Sequence, residues 1–143
     1  MKALLVDGHS IIFAWPDLRR IHSQRPSLAR DHLIKVLTAY QDASGVRVTL
    51  VFDGKGSKIS NSTEPGEIQI IYSGSHDTAD GIIERLVHRY ATEHEITVAT
   101  CDHQIQQTAT SFNALVVSAE GLRPWLKQAE DQLAHTLKKH RRR

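Results

Sequence analysis

Apolar runs that end in an acid organise this chain. Ala3-Leu4-Leu5-Val6 runs into Asp7-Gly8, Val48-Thr49-Leu50-Val51-Phe52 runs into Asp53-Gly54, and Ile96-Thr97-Val98-Ala99 reaches Asp102 after Thr100 and Cys101. Such short, near-continuous apolar stretches read as strands buried on both faces, the signature of a parallel sheet. Residues 68–72 and 114–117 supply two further strands, the former at an edge.

Helical spacing fills the gaps between strands. A short helix is expected over 9–15, stopping before Pro16 because a residue preceding proline is pushed out of the α region. Residues 16–27 read as a turn-rich connection. Ser27 then caps a helix whose Leu28, Leu33, Leu37 and Tyr40 face inward and which ends at Ala43-Ser44-Gly45. Residues 54–66 have turn chemistry and read as a loop beside the site. Asp77 or Thr78 caps a helix with Ile82, Ile83, Leu86, Val87 and Tyr90 on its inner side. Another helix lies near 103–110. Ser118 caps a turn before Pro124, and from Trp125 onward Leu126, Ala129, Leu133 and Leu137 line one face of a terminal helix. Alternating strands and helices give a three-layer α/β/α sandwich without a repeat or an internal linker, so residues 1–143 are expected to form one domain.

Composition narrows the classes. An apolar fraction of 40% and a charged fraction of 24% suit a soluble globule. No stretch is apolar and long enough to span a bilayer, and residues 1–20 lack the order of a signal peptide, which makes a cytoplasmic location the expectation. Cys101 is the single cysteine, so an internal disulfide and a thiolate metal cluster are both excluded. The net charge of +2 says little by itself, but Lys138, Lys139, Arg141, Arg142 and Arg143 crowd the C-terminal end. Such a run can meet phosphates, or simply suit the negative end of a helix dipole.

The acids carry the candidate chemistry. Open α/β sheets place their sites beyond the carboxyl ends of the strands. Asp7 and Asp102 end strands there, and Asp80 sits in the first turn of the helix after residue 78. Oxygen ligands of this kind suit Mg²⁺ or Mn²⁺, which activate water and neutralise charge on a phosphodiester. Each acid also has a structural use: Asp7 in the Gly8 turn, Asp80 as a capping-box partner of Asp77, Asp102 as the N-cap of the next helix and Asp53 in an Asp-Gly turn. His9, His76 and His103 each neighbour an acid, but no His-Glu-x-x-His or Cys-rich spacing supports zinc. Ser10 lacks a Gly-x-Ser-x-Gly elbow, so it suits a hydrogen bond to the acid or to phosphate better than nucleophilic attack. Neither a Gly-x-Gly-x-x-Gly turn after the first strand nor a Gly-Lys-Ser/Thr loop is present, which weighs against dinucleotide or ATP binding.

Val6-Asp7-Gly8-His9-Ser10-Ile11-Ile12 with Ala14-Trp15-Pro16 resembles the opening of YacP-like NYN domains, bacterial relatives of PIN nucleases. The likeness continues through Ala29-Arg30-Asp31-His32-Leu33-Ile34, Val51-Phe52-Asp53, Thr78-Ala79-Asp80-Gly81-Ile82-Ile83-Glu84 and Val98-Ala99-Thr100-Cys101-Asp102. It implies a PIN-like sandwich on a mainly parallel five-stranded sheet of order 3-2-1-4-5 with a metal-dependent acidic cleft. Since members include a ribosome-associated endoribonuclease, it also implies hydrolysis of RNA, in particular messenger RNA on the translating ribosome. Asp7, Asp80 and Asp102 match the family's principal acids and Asp53 a further one. The sequence departs where His9 and Ser10 replace the usual Tyr and Asn, which alters the hydrogen-bonding groups offered to substrate.

By that resemblance Asp7, Asp80, Asp102 and Asp53 are the expected catalytic and metal-binding residues, with Mg²⁺ or Mn²⁺ as cofactor. Ser10, Arg30, Lys55 and His103 are expected to position substrate. A non-catalytic RNA- or ribosome-binding module is the alternative. A DNA flap nuclease is disfavoured by the lack of a long extra segment for a threading arch. An outer strand or the terminal helix offers a surface for a homodimer.

Overall fold

The structure, a computed structural model, describes residues 1–54 and 67–141, the side chains of 139–141 excepted. Five strands form one parallel sheet: β1 (Lys2–Asp7), β2 (Arg47–Phe52), β3 (Gln69–Tyr72), β4 (Glu95–Ala99) and β5 (Leu115–Val117), in the order β3-β2-β1-β4-β5. β1 lies at the centre, with Val6 opposite both Leu50 and Ala99. The reason is in its sequence: Leu4, Leu5 and Val6 are each buried, so the strand can be covered on both faces.

Six helices cover the sheet: α1 (Gly8–Ala14), α2 (Pro16–Gln24), α3 (Pro26–Ser44), α4 (Ala79–Tyr90), α5 (His103–Ser111) and α6 (Ala119–Arg141). One core joins Leu4, Val6, Leu50 and Phe52 to α1, α2, α3 and α6 through Ile12, Leu18, Leu33 and Leu122. The second joins Leu5, Val51 and Val98 to α4 and α5 through Ile83, Val87 and Ile105. Alternate side chains of each strand thus feed opposite layers, as the pleat requires.

Five expectations need correction. Residues 16–27 are not a loop: α2 occupies Pro16–Gln24, and α3 starts at Pro26 after Arg25 rather than under a Ser27 cap. Both prolines stand at the first helical position, where a missing amide hydrogen costs nothing and a fixed φ favours the helix. On α3 the inner face uses Ala29, while Leu28 is 39% exposed. The terminal helix begins at Ala119, with Pro124 inside it. Ser118 caps it, its Oγ accepting from Gly121 N–H at 3.0 Å, and buried Leu122 and Leu126 flank the proline, so packing offsets the one lost backbone bond. The inward face fades beyond Ala129, and Leu137 is exposed. Among the described residues no helix is long and apolar enough to cross a membrane.

Candidate acidic site

Asp7 ends the central strand and is 6% exposed. α1 follows at once because residue 8 is glycine: a Cβ there would sit 2.3 Å from a ring carbon of fully buried Phe52. Burial, with a smaller contribution from Asp53, raises the Asp7 pKa above the ordinary carboxylate value. Opposing this, Thr100 donates its hydroxyl to Asp7 Oδ2 at 2.9 Å. The Ser10 amide also favours the ionised form without closing a capping bond.

Thr100 is the residue that inspection of the sequence missed. Completely buried at the end of β4, it donates to Asp7 and accepts the Asp102 amide at 3.0 Å, so one hydroxyl fixes two acids. Its only signal was the pair of residues that separates the apolar run of β4 from its acid. Ser10 makes a parallel link, its Oγ accepting the Cys101 amide at 2.6 Å and tying α1 to the loop after β4.

Asp102 caps α5, as expected of an acid before a helix. Its Oδ1 accepts from the Gln104 and Ile105 amides at 2.8 and 3.2 Å. The cap does not exhaust it, because Asp102 also makes side-chain contact with Asp80. Asp80 stands in the first turn of α4, but the cap there is Thr78, whose Oγ1 accepts the Gly81 amide at 3.0 Å. Asp77 instead pairs with Arg85 and accepts the Thr78 amide at 2.8 Å, so no Asp77–Asp80 capping box forms. Exposed Asp53 reaches across to α4, its Oδ1 accepting the Ala79 amide at 2.7 Å. It thereby holds the helix turn that presents Asp80.

Asp80 feels the other three acids. Desolvation, then the charges of Asp102, Asp7 and Asp53, push the Asp80 pKa up to about 6. Crowded carboxylates of this kind are relieved by a cation or a proton. The all-oxygen donor set fits Mg²⁺ or Mn²⁺ held through its waters. Among the described residues no three His, Cys, Asp or Glu side chains close into a direct ligand group.

The expected positioning residues are dispersed. Arg30, half-buried on α3, lies within electrostatic reach of His9. His103 is exposed on the first residue of α5, and His76 is exposed before α4. Lys55, with Lys58, lies outside the described residues.

The comparisons with known proteins agree with this fold. A crystal structure of Rae1 (YacP) from Bacillus subtilis superposes with a TM-score of 0.81 at 32% identity, covering 97% of this chain and 81% of that one. A point mutant of the same protein gives 0.80 at 31% identity, covering 97% and 83%. The protein described as "Uncharacterized protein YacP" from Bacillus subtilis (strain 168) is 33% identical over 143 residues, which is 97% of this chain and 83% of that protein. The family model for the YacP-like NYN domain matches residues 4–143. With a parallel sheet of order β3-β2-β1-β4-β5 and a family match over residues 4–143, this chain belongs to the YacP-like NYN family of nuclease-type domains.

Proposed function

We propose that residues 1–143 act as one metal-dependent endoribonuclease domain that hydrolyses RNA phosphodiester bonds in the cytoplasm, with messenger RNA on the translating ribosome as its target. The reading rests on one observation: three other carboxylates arrive from separate elements around Asp80, whose pKa is pushed up to about 6 by desolvation first and then by their charges. Structural capping alone does not account for such crowding, since Thr78 and not Asp80 caps α4.

A bound Mg²⁺ or Mn²⁺ supplies a Lewis acid that neutralises phosphodiester charge and makes a coordinated water a better nucleophile. Asp7, Asp80 and Asp102 would hold the cation directly or through water. Asp53 completes the negative field and fixes the start of α4. Thr100 favours the ionised form of buried Asp7 against its desolvation and links that carboxylate to the Asp102 backbone. The Ser10 oxygen is engaged by the Cys101 amide, which leaves its proton for a phosphate oxygen. Arg30, Lys55 and the terminal cations meet the RNA backbone, which orients the strand without reading its bases.

The test is cleavage of messenger RNA, free and on translating ribosomes, with Mg²⁺ or Mn²⁺, by the parent chain and by an Asp7→Asn/Asp80→Asn variant. Metal-dependent endonucleolytic products from the parent alone are expected. Equal cleavage by both rejects the acidic mechanism. RNA binding without cleavage under every condition selects the non-catalytic binding module instead.

A further inference from the structure

Beside the acids the chain builds a run of rings that phosphodiester chemistry does not use. It starts in the core, where fully buried Phe52 stacks on Tyr72 with ring centres 5.6 Å apart. Phe52 meets His9 edge-on at 5.6 Å. His9 lies 6.1 Å from Phe13, one helical turn along α1, with the planes only 27° apart. Phe13 then meets His22 of α2 at 4.8 Å, and His9 and His22 are 6.3 Å apart. The buried end is rigid, because the missing side chain of Gly8 is what lets α1 rest on the Phe52 ring. Its outer end is open, with Phe13 48% exposed and His22 half-buried.

The charges around this run tie it to the site. His9 feels the carboxylates of Asp53 and Asp7 and, opposing them, His22 and Arg30. One imidazole therefore lies between the acids and a group of basic side chains. An apolar ring left open to water beside the acids, with an arginine in electrostatic reach of the neighbouring His9, has the composition of a single-strand binding surface: a flat ring for a base and a cation for the backbone.

We propose that Phe13, stacked on His9 and met at 66° by the His22 ring, forms a shelf on which one nucleobase of single-stranded RNA stacks, while Arg30 takes the adjoining phosphate. The shelf deepens the nuclease reading, on which it rests for the direction of the strand through the acids. It selects unpaired RNA, since a base inside a duplex cannot present its face to Phe13. Stacking tolerates any base, so the shelf sets strand state and register rather than sequence.

Fluorescence of 2-aminopurine, placed at successive positions of a single-stranded RNA, tests this in the full chain carrying Asp80→Asn to prevent cleavage. Quenching at one nucleotide is expected. Phe13→Ala should abolish it and weaken binding about tenfold, and Phe13→Trp should retain both. Removing the base at that nucleotide should lower parent binding to the Phe13→Ala level and leave the Phe13→Ala variant unaffected. No quenched position, or an equal loss on intact and abasic RNA, overturns the shelf. If Phe13→Ala fails to give a folded circular-dichroism spectrum, His22→Ala is read in the same cycle. Cleavage by the parent chain is followed in parallel. Quenching without cleavage rejects the nuclease reading and keeps the shelf, whereas cleavage without quenching rejects the shelf alone.

Discussion

Asp80 and Thr100 define what single side chains contribute. In the metal-free folded chain Asp80 keeps its proton up to about pH 6, while an ordinary aspartate releases it near 3.8. Between those values the folded state binds more protons than the unfolded one, so this group's contribution to stability falls as pH rises through the window. His9, whose pKa burial lowers, acts in the opposite direction, so the informative quantity is the difference between the parent and Asp80→Asn. The melting temperature of the variant should gain on the parent between pH 4 and 7, and saturating Mn²⁺ should restore the parent at pH 7. A constant difference across that range would show that the acids do not share a field. Thr100→Val keeps the shape but leaves the Asp102 amide and Asp7 Oδ2 without their partner. It should cost about 1–3 kcal/mol by urea unfolding and weaken Mn²⁺ binding, because Asp7 moves further toward its neutral form. Thr100→Ser should recover most of both losses.

Helices and strands decide whether those side chains meet. The acid-ended strands were legible because β1, β2 and β4 are buried on both faces and so are nearly all apolar. The helix starts were less legible. Pro16 and Pro26 looked like punctuation and in fact stand at first helical positions, and Pro124 looked like a boundary although Leu122 and Leu126 hold the helix through it. All four acids could be named from their places after strands or at a helix start. Asp53's actual work, accepting the Ala79 amide, spans 26 residues and leaves no local trace. Thr100 was hidden for the same reason, its partner Asp7 lying 93 positions away. The tightest dependence between elements is at Gly8, where α1 leaves β1 against Phe52. Gly8→Ala forces a carbon into a ring that has no free space, and overpacking of this type costs about 1–3 kcal/mol. Urea unfolding should show that loss, and Mn²⁺ affinity should fall with it because Asp7 precedes the displaced turn. Replacement of Gly45, which has φ 74 and nothing within 4 Å of an added Cβ, should cost stability through backbone strain while leaving Mn²⁺ affinity intact.

At the scale of the molecule, the acidic cluster and the cationic end belong to different parts of the sequence-to-fold layout. The acids gather where β1 and β4 end under the first turn of α4, whereas the basic run closes α6. That helix meets the core through Leu122, Leu126 and Ala129, and by Leu137 it is exposed. Packing against the core ends before Leu137, so the terminal cations are expected to be dispensable for folding and to serve the backbone of a long RNA. Changing Lys138, Lys139, Arg141, Arg142 and Arg143 together to Gln should leave the melting temperature and Mn²⁺ affinity unchanged. Turnover at saturating RNA should also hold, because no acid is touched. What should change is the salt dependence: each phosphate that the chain no longer neutralises takes about 0.7 from the slope of log affinity against log salt on a single strand. Binding isotherms at several salt concentrations measure that slope directly. A slope identical to the parent's would assign the backbone to Arg30 and the groups near the acids, and would leave the basic end as a solvated helix terminus matched to its dipole.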